Sequence, residues 1–103
     1  MTLLKRMNIL HRVCHGLIAV DLMEQGDFAG FQYYIKDFLS LTEDECKPQM
    51  PQNVFNDLKA SQLCLVDYEP KNKSKSFLEA GKKLLLQAFS YLYSTMYVEL
   101  NKK

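Results

Sequence analysis

A chain of 103 residues that is 48% hydrophobic and 24% charged suits one small folded domain, spanning residues 1–103, and is too apolar for a disordered one. Thirteen basic side chains against twelve acidic ones exclude the strongly basic footprint of a typical nucleic-acid module. The charges are nevertheless sorted along the chain. Residues 21–45 set Asp21, Glu24, Asp27, Asp37, Glu43, Asp44 and Glu45 against Lys36 alone, and residues 71–103 set seven lysines against Glu79 and Glu99.

The apolar periodicity predicts helices almost throughout. Leu3, Met7, Leu10, Cys14 and Leu17 recur at steps of four and three, widened by Ile18 and Leu22, which gives an amphipathic helix over about Thr2–Gln25. Lys5, Asn8, His11, Arg12 and His15 fall opposite that stripe. Its longest charge-free piece, Val13 to Val20, is far short of the roughly 20 residues needed to span a bilayer. No membrane segment or cleaved leader is therefore expected, and the chain reads as cytoplasmic. Gly16 marks a close helix contact or a bend, Gly26 suits a left-handed cap, and Asp27 can cap the next helix.

A second helix follows over about Phe28–Ser40, with Phe28, Phe31, Ile35 and Phe38 on one face and Tyr33 and Tyr34 at its border. Thr42 and Glu45 have capping-box spacing, but Pro48 and Pro51 allow only one turn before the chain breaks. Lys47–Asn53 is the clearest internal loop. Pro51 then opens a third helix over about Gln52–Leu63, and Leu63–Tyr68 suits either a fraying helix end or a short strand, the helix end being preferred. After a lysine-bearing loop, Ser76 and Glu79 have capping-box spacing before a long helix over about Phe77–Leu100. That helix is apolar around most of its girth and should form the centre, with the first two packed around it. The expected fold is all-α: a compact single-domain helical bundle with a long central C-terminal helix.

Three cysteines without framework spacing read as reduced thiols, Cys14 and Cys64 in the core and Cys46 on an exposed turn. His11 and His15 sit one helical turn apart, but Arg12 beside them and the lack of a third ligand argue against a metal site. The chain carries no phosphate-binding glycine loop, no His-Glu-x-x-His arrangement and no nucleophile elbow. The expectation is therefore a protein with no catalytic residues, no metal and no cofactor.

The remaining polar feature is Asp37, Glu43, Asp44 and Glu45, packed about the end of the second helix with Tyr33 and Tyr34 nearby. Clustered carboxylates steer a basic partner and aromatic rings supply contact area. These six residues are the candidate partner-binding site, for another protein of basic character such as a toxin or nuclease whose active site must attract phosphate. In size and charge pattern the chain resembles small helical bacterial immunity proteins, a likeness of physique rather than of any motif. That likeness implies an antitoxin-like inhibitor, not an enzyme. The alternative is a nucleic-acid-associated transcriptional regulator working through Lys71, Lys73, Lys75, Lys82 and Lys83, which the balanced charge disfavours.

Overall fold

The computed structural model describes residues 2–71 and 74–102. Among them the chain forms five α-helices and no strand: α1 (Thr2–Glu24), α2 (Phe28–Leu39), α3 (Glu43–Cys46), α4 (Gln52–Leu65) and α5 (Lys75–Leu100), with a 3-10 turn at Lys47–Gln49. The all-α bundle with a long C-terminal helix is what the apolar periodicity predicts. Two helical hairpins, α1–α2 and α4–α5, join through α1 lying along α5. The result is an elongated bundle of 48 × 22 × 19 Å.

Local chemistry explains the helix boundaries. Gly26 takes φ +86°, the left-handed region that ends α1. The Asp27 side chain then accepts from the Gly30 N–H at 2.9 Å and starts α2. The Thr42–Glu45 capping box forms in both directions and opens the single turn of α3. At α5 the expected cap moves. The helix starts at Lys75 rather than Phe77 and Ser74 occupies the cap position, so Ser76 lies inside the first turn. Asn72 and Lys73, expected in a lysine-bearing loop, lie outside the described residues.

Packing is close where α1, α2 and α5 meet. A Cβ added at Gly16 would stand 2.9 Å from both Leu85 Cδ2 and Phe38 Cγ, so glycine is what lets these helices approach. Phe38, Val13, Val20, Leu85 and Leu92 are fully buried around that point. A buried cluster of this kind supplies most of the stabilisation, about 1.5–3 kcal/mol for each large side chain. Gly81 plays the same part between α5 and α4, under Leu65.

Several details depart from the expected arrangement. The buried seam of α1 is Ile9, Val13, Gly16, Ala19 and Val20, whereas Leu3, Leu10, Cys14 and Leu17 are only half-buried and Met7 and Ile18 are exposed. Small residues on the inner seam permit close helix approach and leave the larger ones outside. α5 receives α1 and α4, while α2 packs chiefly on α1. It buries one stripe, Leu78, Gly81, Leu85, Ala88, Leu92 and Met96, rather than its whole girth.

The stretch after α3 is not a free loop, because Gln49 and Met50 are buried as the 3-10 turn folds against α1. Cys46 is likewise buried, and burial pushes its thiol up to about 11, whereas Cys14 and Cys64 are half-buried. All three thiols are free. Leu63–Leu65 completes α4; Val66 is then extended, Asp67 takes φ 53°, and Tyr68 turns back to pack edge-on against Phe31 with ring centroids 5.8 Å apart.

Candidate functional site

Arg12 lies on the side of α1 that faces α2 and α3, and its guanidinium connects three segments of the chain. It donates to Glu45 Oε2 at 2.7 Å, to Ser40 Oγ at 2.7 Å, to the Asp37 carbonyl at 3.3 Å and to Asn8 Oδ1 at 3.2 Å. Five donors in a planar fork make such multiple engagement possible, where a lysine would act as a point charge. Ser40 Oγ in turn donates a hydrogen bond to the Asp37 carbonyl at 2.6 Å, closing the end of α2.

One turn along α1, His15 Nδ1 lies 2.6 Å from Asp37 Oδ2, with the ring nitrogen donating because an ionised carboxylate only accepts. The His15 ring also meets Tyr34 edge-on, with centroids 5.3 Å apart, and Tyr34 meets Tyr33 in the same way at 5.1 Å. A continuous polar and aromatic surface therefore runs from Tyr33 through Tyr34, His15 and Asp37 to Arg12 and Glu45.

The six residues singled out in the sequence fall into two groups. Glu45 is held: besides Arg12, its Oε1 accepts from the Thr42 N–H and from Thr42 Oγ1, both at 3.0 Å. The Arg12 hydrogen bond, with help from Thr42, lowers its carboxyl to about 2, so it is a fixed anion at any physiological pH. Asp37 is paired with His15, and Tyr34 is half-buried beside it.

The other three face solvent. Tyr33 is 72% exposed. Glu43 makes a loose helical pair with Lys47 at 3.4 Å, and Asp44 is exposed on α3. All three acids of α3 also sit in its first turn, where the helix N-terminus favours negative charge.

Arg12 and His15 are the residues that sequence reasoning missed. They fall on the polar face of α1, which an amphipathic reading assigns to water, and the acids that partner them lie 22 to 33 residues away in the chain. The available signal was the isolation of Arg12 among uncharged residues. The His11 and His15 rings are 4.3 Å apart, yet no group of three metal-ligating side chains occurs among the described residues.

Beside Asp44 the surface sinks into a cleft of about 480 Å³ between α1 and the segment from α3 to the 3-10 turn. Leu4, Ile9 and Pro48 make its apolar wall, and Lys5, Asn8, Asp44, Glu45 and Gln49 add polar groups. Gln49 Oε1 is buried and without a hydrogen-bond partner among the described residues. The basic segment is more dispersed: Lys82 is engaged by Glu24 at 2.9 Å, and Lys73 lies outside the described residues. No helix among the described residues is long and apolar enough to cross a membrane. Compared with protein-family models, curated protein sequences and solved structures, the chain gives no match, so its residues and their geometry carry the functional reading.

Proposed function

We propose that this protein is a small binding module without chemistry of its own, an antitoxin-like cytoplasmic inhibitor of the kind bacteria use against their own toxins. Its target is a basic protein such as a nuclease. The observation that supports this reading best is the pinned acidic edge of α2 and α3. Arg12 and His15 fix Glu45 and Asp37 from behind, with Tyr34 half-buried beside them, while Asp44, Glu43 and Tyr33 remain in front.

Such an edge suits recognition because its geometry exists before the partner arrives, so little ordering is required on binding. Asp44 and Glu43 supply the steering charge, and Tyr33 supplies a large, rigid contact that is already exposed. The neighbouring cleft offers room for one long side chain of the partner, with apolar walls for its stem and carboxylates for a cationic tip. Glu45 and Asp37 act as positioning residues, because their carboxylates already have partners within the chain.

The test is co-expression with the product of the gene encoded beside this one, followed by purification through a tag on either chain. A basic toxic neighbour that purifies in a one-to-one complex, weakened at least tenfold by the double change Glu43→Lys and Asp44→Lys, supports the reading. An unchanged affinity in that variant would exclude this face, and a neighbour that forms no complex would contradict the inhibitor role.

A further inference from the structure

On α5 the core takes Leu85, Ala88, Leu92 and Met96. A second seam runs about 100° round the helix from the first. Leu86, Tyr93 and Leu100 recur along it every seven residues, and Phe89 and Tyr97 fill the spaces between. Phe89 stacks on Tyr93 and Tyr93 on Tyr97, with ring centroids 5.7 and 6.4 Å apart. Leu86, Tyr93, Tyr97 and Leu100 are nevertheless between 44% and 60% exposed. From Leu84 to Val98 the helix holds no charged residue. A solvated helix face is normally charged and polar, so this seam has the composition of a contact rather than of a surface.

α1 extends the same face. Two ion pairs, Arg6 with Glu99 at 3.9 Å and Glu24 with Lys82 at 2.9 Å, clip α1 antiparallel to α5. In that register helical spacing puts the α1 flank turned away from α2, with exposed Met7 and Ile18 and half-buried Leu10 and Cys14, on the same side as the α5 seam. Between Met7 and Ile18 the formal charge is Arg12, which points the other way into the α2–α3 network together with His15, while exposed His11 stands at the border of the face, one turn from Met7.

Area and charge together decide what covers this face. At roughly 200 Å² for a whole large side chain, the exposed parts of Met7, Ile18, Leu86, Tyr93, Tyr97 and Leu100 amount to about 600 Å². Two such faces would bury about 1,200 Å², where stable protein interfaces begin. A two-fold contact sets a surface against itself, so a face of one charge repels its own copy, whereas the α1–α5 face is free of charge along its middle and carries both signs at the Leu86 end, where Glu24 and Glu79 meet Lys82 and Lys83. The acidic edge of α2 and α3 is barred from self-pairing by that argument, and the α1–α5 face is suited to it.

We propose that this face is where two copies of the chain meet, α5 lying antiparallel to its counterpart about a two-fold axis near Tyr93, with the α1 flanks alongside. The proposal is independent of the acidic edge, which stays exposed in both copies. Contacts at the lower end of the size range include the weak, reversible ones, so association is sought in the range of roughly micromolar concentrations.

Equilibrium sedimentation from about 1 to about 200 µM brackets that range. The expected result is a rise from the 12.0 kDa monomer to twice that mass. Tyr93→Lys and, separately, Leu86→Lys should each weaken association at least tenfold with unchanged far-ultraviolet circular dichroism, while Tyr33→Lys should leave it unaffected. A monomer across the whole range overturns the proposal, and so does a dimer that both lysine variants leave intact. A monomer that cosediments with phosphatidylcholine vesicles would overturn it by assigning the face to lipid.

Discussion

Polarity and burial are inverted between the two sides of α1. On the side facing α2 and α3, the Arg12 and His15 side chains keep only 16% and 21% of their exposure. On the side beside α5, Met7 and Ile18 keep 46% and 42%. Hydropathy alone would place these residues the other way round. The difference teaches that burial follows the partners available in the fold: a polar group can be covered when its hydrogen bonds are replaced, and an apolar one stays wet when nothing packs on it. One side of the helix is therefore finished within the chain, and the other is not.

The largest expected effect comes from breaking both sides at once. Phe38 is fully buried at the Gly16 crossing, where α1, α2 and α5 meet. Phe38→Ala should lower the unfolding free energy by about 3–5 kcal/mol, read from urea denaturation. A cost below about 1 kcal/mol would mean that the crossing does not hold the hairpins together.

A smaller effect isolates the polar side. Arg12→Met keeps the length of the stem but removes the donors to Glu45, Ser40 and Asp37. The expected loss is about 1–3 kcal/mol in the same assay. The change should also disturb the tyrosine pair, which near-ultraviolet circular dichroism would register.

Acid separates the two sides without mutation. The Glu45 carboxyl falls from 4.5 to about 2 in the folded chain, so its stabilising contribution is complete above pH 4.5 and is lost as pH falls towards 2. Comparison with Glu45→Gln over that range should show a stability difference at pH 5 that shrinks steadily on acidification. Charge reversal in front of the network is the mildest case. Glu43→Lys with Asp44→Lys should change stability by no more than about 0.5 kcal/mol per site, because neither side chain is buried, while reducing partner binding.

Much of this fold was legible in the sequence. Gly26, Asp27, Thr42 and Glu45 act locally, so their spacing alone located the helix ends that the structure shows. The inner face of α1 was not legible in the same way. Leu3, Met7, Leu10 and Cys14 make the more hydrophobic stripe, but the crossing with Phe38 and Leu85 requires the slimmer face that carries Gly16 and Ala19. Cys46 was misplaced for a related reason: a turn predicted from prolines is covered here by the neighbouring helices. The candidate site was half visible, since the acids cluster in sequence, while their cationic partners come from another helix and depend on the fold.

A double-mutant cycle between Arg12 and Glu45, with single and paired alanine substitutions measured by urea unfolding at neutral pH, tests the pinned acidic edge most directly. The expected coupling is about 1–2 kcal/mol, above the range of an ordinary exposed ion pair, because the bond is charge-assisted and its arginine side chain is mostly covered. A coupling within about 0.3 kcal/mol of zero would contradict it, leaving the acids of α3 as unconnected surface charges.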